Sequence, residues 1–304
     1  MKRVVSISLG TSKRDKVAEV ELLGETFSLE RRGTDGDMKR FGELFTELDG
    51  KVDCLGVGGA DIYLQVEESK YAFREIKVLI AGAKTTPVVD GGGLKHTLER
   101  KAIEQLTTEG IFPLKGKKAL IVSAVDRFGM AQALDHSGAS VVYGDFLFGL
   151  GLPIPVRSYK AVKTLGKILL PIITNLPFKW FYPTGEKQEK RTPKFPNYFL
   201  EADLICGDWH YIRRFMPDQL PGKTILTQTL RAADLEFLKG AGVKQAITTT
   251  PVINGETFAT NVMQGVIVAY LGKHPDQISE QEYLAVLDQL NWKPNVITLN
   301  AWQI

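Results

Sequence analysis

The feature that most constrains this chain is a series of short, unbroken apolar runs. Each is closed by a glycine or a polar cluster, and each is separated from the next by a stretch with helical spacing. Residues 119–125, 140–143, 203–206, 224–229 and 245–249 have this form. A strand that is apolar at every position must be covered on both faces, which is the condition of a parallel sheet between helices. The predicted class is α/β, with a Rossmann-like doubly wound parallel-sheet domain over residues 113–304. Residues 1–112 alternate strands and helices in the same way and are expected to form a separate N-terminal α/β domain, with the boundary in 110–117. Within it, 17–23 and 26–31 flank a turn and predict a hairpin, and Asp37 predicts a helix N-cap. The pair Ser279 and Glu282 predicts a capping box opening a C-terminal helix.

Ligands on open parallel sheets sit beyond the carboxyl ends of the strands. That rule nominates Ser123, Asp126 and Arg127 after the first run of the second domain, then Asp145, Asp208 with His210, Thr227 with Gln228, and Thr248, Thr249 and Thr250. The turn after residues 119–125 stands where a dinucleotide loop would. Ser123 and Val125 occupy the places of its first two glycines, leaving Gly129 nearby. Asp145, about 20 residues on, stands where an acid bonds the ribose 2′-hydroxyl of NAD. A 2′-phosphate would be repelled there, so NAD is expected over NADP. The cofactor-binding set read from these positions is Ser123, Asp126, Arg127, Gly129, Asp145, Thr248 and Thr249.

The order of parts resembles the shikimate/quinate 5-dehydrogenase family. The resemblance rests on Val88-Val89-Asp90-Gly91-Gly92-Gly93-Leu94, on Gly116-Lys117-Lys118-Ala119, on Ala202-Asp203-Leu204-Ile205-Cys206, and on the helix through Asn261-Val262-Met263-Gln264-Gly265-Val266. It covers roughly residues 86–272. It implies an NAD-linked oxidoreductase acting on a hydroxyl or carbonyl, with residues 1–112 as the substrate domain, Asp90 as catalytic acid and Ser6 and Ser8 as substrate contacts. The family's lysine-bearing segment is absent, so Lys84 and Lys95 are candidates by proximity to Asp90. His210 is a rival acid/base, because it follows a strand end. The alternative reading is a non-catalytic or regulatory ligand-binding protein that keeps the fold without dinucleotide binding; the bulk of Val125 and the charge of Asp126 favour it. A third reading, a phosphotransferase resembling the actin and sugar-kinase type, rests on Ser8-Leu9-Gly10-Thr11-Ser12-Lys13. Ser8, however, stands where that family carries an Asp for Mg²⁺.

Residues 150–200 have a character of their own. Between 151 and 200 there are nine Lys/Arg, two Glu and seven of the fourteen prolines, a net of +7 in a chain whose total is +3. An amphipathic helix is predicted over 157–170, with Ala161, Val162, Leu165, Ile168 and Leu169 on one face, Lys160, Lys163 and Lys167 on the other, and Pro171 ending or kinking it. Residues 157–185 are expected to contact a membrane surface or an apolar ligand. The partners expected are a small-molecule substrate and a second copy in a homodimer. Nucleic acid is not expected, since the basic residues are confined to one segment. No His/Cys/Asp/Glu spacing predicts a metal. Cys54 and Cys206 lie in apolar runs and imply no disulfide. With no signal-peptide pattern, and no apolar stretch of about 18 residues to cross a bilayer, a cytoplasmic location is expected.

Overall fold

The computed structural model describes residues 1–180, 190–250, 252–253 and 256–300. In chain order its elements begin with β1 (Lys2–Ser8), β2 (Lys16–Leu22), β3 (Glu25–Gly33), α1 (Met38–Leu48), β4 (Cys54–Gly58), β5 (Tyr63–Val66), β6 (Ser69–Ala72), α2 (Arg74–Ile80), β7 (Val88–Val89) and α3 (Gly92–Thr108). They continue with β8 (Lys118–Ile121), α4 (Phe128–His136), β9 (Ser140–Tyr143), α5 (Tyr159–Ile173), α6 (Pro196–Glu201), β10 (Leu204–Cys206), α7 (Trp209–Phe215), β11 (Thr224–Thr227), α8 (Ala232–Gly240) and β12 (Gln245–Thr248). A small hairpin of β13 (Val252–Ile253) and β14 (Glu256–Thr257) precedes α9 (Thr260–Leu271), α10 (Glu280–Gln289) and β15 (Asn295–Thr298). The class is α/β, with parallel sheets in two units.

Neither unit is one continuous segment. The first comprises Met1–Thr97, Ile168–Gln188 and Phe258–Trp292; the second comprises Leu98–Lys167, Glu189–Thr257 and Lys293–Ile304. This differs from the expected division at residues 112 and 113. Helices α9 and α10, expected in the second domain, belong to the first unit.

The first unit carries a sheet of order β2-β3-β1-β4-β7, parallel except for β2, which pairs antiparallel with β3 as the predicted hairpin. Helix α9 lies on β1 and β4. Its approach is close because Gly265 has no side chain: a Cβ there would stand 2.6 Å from Val4 Cγ1. Asp37 caps α1, its carboxylate accepting from the backbone N–H groups of Lys39 and Arg40. Ser279 and Glu282 form the predicted capping box of α10.

The second unit carries a sheet of order β15-β12-β11-β10-β8-β9, parallel except for β15. From β8 the chain steps outward to β9, then returns to β10 on the other side and moves away through β11 and β12. The strand order therefore reverses between β8 and β10. Leu120, Ile205, Ile225 and Ala246 of neighbouring strands are fully buried in one cluster with Phe148, Phe199, Trp209 and Phe215. The Phe148 and Phe199 rings meet edge to face with centroids 5.3 Å apart. Strand β15 was not foreseen. Its residues are only half-buried or exposed, so it lacks the apolar signature of the others and is held by pairing with β12.

Gly207 follows β10 with φ at +134°, and a Cβ there would stand 2.6 Å from Val122 Cγ2. Only glycine takes this turn without strain, and the turn delivers Asp208 to the N-cap of α7. Gly207→Ala is expected to lower stability by about 1–3 kcal/mol. The urea midpoint should fall at unchanged slope; an unmoved midpoint would mean that the turn relaxes at no cost.

Candidate functional site

The strand order reverses between β8 and β10, and open α/β sheets bind ligands beyond the carboxyl ends of their strands at such a point. Arg127 stands there at the N-cap position of α4, 3% exposed. A guanidinium cannot shed its charge by deprotonation, so its burial demands carboxylates. Three converge on it. Nη1 donates to Glu99 Oε1 in a very short contact, and Glu99, on α3, has no exposed surface. Nε donates to Asp126 Oδ2 at 3.2 Å and Nη2 to Asp208 Oδ2 at 3.0 Å. Asp208 is held from other sides as well. Its Oδ1 accepts the backbone N–H of His210 at 2.8 Å, and its Oδ2 accepts Gln228 Nε2 at 2.7 Å. Thr227 Oγ1 in turn donates to Gln228 Oε1 at 2.7 Å. Burial pushes the Asp208 carboxyl up, but the charges of His210 and Arg127 and the Gln228 hydrogen bond outweigh it and hold it below its ordinary value.

Next along the sheet edge, the backbone N–H groups of Thr249 and Thr250 donate to the carbonyls of Thr227 and Gln228, each at 3.0 Å. Thr248, Thr249 and Thr250 are buried. Thr248 Oγ1 is buried with no hydrogen-bond partner among the described residues. The cluster thus has a chain of fixed polar groups, Thr227–Gln228–Asp208–Arg127–Glu99, and more carboxylate than guanidinium.

Several expected roles change at this point. Asp145 Oδ1 accepts the Val125 N–H at 3.0 Å, and Oδ2 is buried without a partner among the described residues. The carboxyl is turned into the β8–α4 turn, which it closes, and is not presented to a ribose. Burial pushes it up to about 6, against the pull of the Val125 N–H. Arg127 is occupied by three carboxylates that would repel a pyrophosphate, and Asp126 is one of them. Ser123 is half-buried after β8, and Gly129 is buried in the first turn of α4. These residues do not fit a dinucleotide. His210 lies in the first turn of α7, where its backbone N–H serves the Asp208 cap.

In the first unit, Asp90 is also a structural acceptor. Its Oδ2 takes the N–H groups of Ile62 and Tyr63 at 2.7 and 3.1 Å, and its Oδ1 takes that of Gly92 at 2.8 Å. Lys95, one turn into α3, pairs with Asp61 at 2.5 Å, both buried. Lys84 is exposed on the loop entering β7, at the opposite end of the strand from Asp90. Among the described residues no lysine pairs with Asp90. Ser6 Oγ accepts from Asn261 Nδ2 at 2.7 Å, and Ser8 Oγ accepts from Gly10 N and Arg31 Nη2 at 3.1 and 3.0 Å. Within the loop at 8–13, Ser12 is tied to Asp35 by its N–H and hydroxyl, an acid where a phosphate would need donors.

Sequence reasoning missed Glu99, Asp61, Asn261, Gln264 and Tyr283. Lys95 and Glu99 have the spacing of an exposed i,i+4 pair, which hides that each is buried with another partner. Gln264 Oε1 accepts the Gly91 N–H at 2.8 Å, and its Nε2 donates to the Tyr283 hydroxyl at 2.9 Å. Polar residues on an otherwise apolar helix were the available signal. Among the described residues no group of His, Cys, Asp and Glu could hold a metal.

Fold and site define an α/β protein of the doubly wound kind with an acidic polar cluster at its switch point. The chain belongs to the family described as a domain of unknown function, DUF8754, whose model matches residues 93–299; that of a second domain of unknown function, DUF8753, matches residues 3–90. No curated protein matches the sequence. Similar solved structures are mainly solute-binding proteins of transporters. One, from Burkholderia multivorans, is 12% identical over 98% of this chain and 99% of its own, with a TM-score of 0.37. Another, from Actinobacillus succinogenes with bound D-allose, is 11% identical over 98% of each chain, with a TM-score of 0.36. Ornithine carbamoyltransferase from Pyrococcus furiosus is 14% identical over 91% of this chain and 86% of its own, with a TM-score of 0.35. TM-scores of this size carry no argument about ligand or activity. The resemblance to shikimate/quinate 5-dehydrogenases is not borne out: the family models that match are the two above, over residues 3–90 and 93–299. The NAD-linked oxidoreductase expected from it is withdrawn.

The raised Asp145 carboxyl has a consequence for stability. The folded state holds this proton more tightly than the unfolded state, so the stabilisation is complete below the ordinary value of 3.8 and is lost as pH rises through about 6. Asp145→Asn keeps an acceptor for Val125 and carries no charge. It is expected to gain stability on the order of 2–3 kcal/mol over the wild type near pH 7, and nothing near pH 3. Urea midpoints across that range check this; parallel profiles would show that Asp145 does not titrate there.

Proposed function

We propose that this chain is a ligand-binding protein that holds a small, uncharged polyhydroxylated molecule at the strand ends of the second unit and does not transform it. The observation that carries this reading is the surplus of carboxylate around buried Arg127. Among the described residues Glu99, Asp126 and Asp208 surround Arg127, and even with the charge of His210 beside Asp208 the acids stay in excess; such a site repels carboxylate and phosphate ligands and favours hydrogen-bond donors such as hydroxyls. Gln228 and Asp208 are oriented in advance by their neighbours, which lowers the cost of ordering them on binding. The buried Thr248 hydroxyl adds a group in need of a partner. Asp208, held below its ordinary carboxyl value, is a weak proton acceptor near neutrality, which favours binding over acid–base chemistry.

The test is calorimetric titration with pentoses, hexoses and acyclic polyols, with a hydroxy acid and NAD⁺ as contrasting probes. Saturable binding of a neutral polyol, weakened about tenfold in Gln228→Ala, is the expected result. Binding of NAD⁺ or of the hydroxy acid in preference to every polyol would sink the reading, as would reduction of NAD⁺ when a polyol is added.

A further inference from the structure

Residues 146–185 contain no Asp or Glu, yet they hold Arg157, Lys160, Lys163, Lys167 and Lys179. Residues 181–185 of this stretch lie outside the described residues. Helix α5 occupies its centre. The helix turns Val162, Gly166, Leu170 and Thr174 inward, all buried. Its outer face carries Lys160, Thr164, Lys167, Ile168, Pro171 and Ile172. The sequence pattern placed Ile168 on one apolar face with Val162 and Leu165; it stands apart from buried Val162, 59% exposed, as is Ile172. Pro171 does not end the helix, which runs on to Ile173. Shortly after it, Trp180 is 71% exposed. Ile168 and Ile172 thus share the outer face of α5 with Lys160 and Lys167, an apolar and basic combination suited to a membrane interface.

We propose that α5 and Trp180 dock this chain on an anionic bilayer surface. Basic side chains would meet the headgroups, while Ile168, Ile172 and Trp180 enter the boundary with the acyl chains, in the manner of helices that lie in a membrane interface. No helix among the described residues is long and apolar enough to cross a bilayer. Charge argues against a second copy of the chain as the occupant. A two-fold interface sets a patch against itself, and here it would bring lysine-rich, acid-free segments together.

The test uses the full chain without sugar, so its outcome is independent of the polyol reading. Flotation is measured with vesicles of phosphatidylcholine alone and with about 30% phosphatidylglycerol. Binding to the anionic vesicles alone is expected, with a blue shift of tryptophan emission that is lost in Trp180→Phe. Lys160→Glu with Lys167→Glu should reduce partitioning at least about tenfold, and Ile168→Asp with Ile172→Asp should abolish it. These sites are on the surface, so an unchanged thermal midpoint serves as the folding control. Equal binding to neutral vesicles, or no binding to anionic ones, overturns the proposal. So does a dimer in sedimentation that the Ile168 and Ile172 changes convert to monomer.

Discussion

Burial of the Arg127 guanidinium is the interaction on which the second unit's arrangement turns. Removing one partner from a buried pair typically costs about 3–5 kcal/mol, because the remaining charge keeps its desolvation penalty. The penalty is met here by carboxylates from three places in the chain: α3, the β8–α4 turn and the end of β10. Each segment is thereby held to the same point. Asp208 also caps α7, and Asp145 closes the turn that carries Arg127. A local electrostatic demand thus sets the geometry of the strand ends around Arg127.

The same demand fixes which polar groups stand at the strand ends. A dinucleotide site needs a glycine turn that brings backbone N–H groups up to a pyrophosphate, with a cation or a helix N-terminus to spare. In this chain the corresponding turn spends the Val125 N–H on Asp145 and the Arg127 cation on acids. The strand order has the reversal that nucleotide-binding sheets share, while the polar groups of the turn are bonded within the protein. In the first unit, Asp90 and Asp61 are likewise absorbed into the framework, the first by three backbone N–H groups and the second by Lys95.

How far the sequence could be read depended on how local the controlling forces are. Strands β8, β10, β11 and β12 were legible because burial on both faces makes each a nearly contiguous apolar run; β9, at the sheet edge, is buried only at Val141 and Tyr143. Helix α1 was legible from Asp37, and α10 from Ser279 and Glu282, because capping acts within one turn. Strand β15 was not, since pairing with β12 and not burial holds it. The place of α9 in the first unit was hidden as well. Its contact with β1 and β4 joins residues more than 200 positions apart, and Gly265, which permits the close approach, is an ordinary glycine in sequence.

The sequence by itself determined the class of the protein: alternating apolar runs and amphipathic helices admit little besides parallel sheets covered by helices. It also marked Arg127, Asp208 and Gln228 as strand-end residues, and the segment after residue 145 as basic and apolar together. Tertiary structure alone decided what those residues do. Whether an acid faces a ligand or a backbone N–H, and whether Ile168 faces the core or solvent, depends on groups brought together from distant parts of the chain. Desolvation then sets the charge and the availability of each.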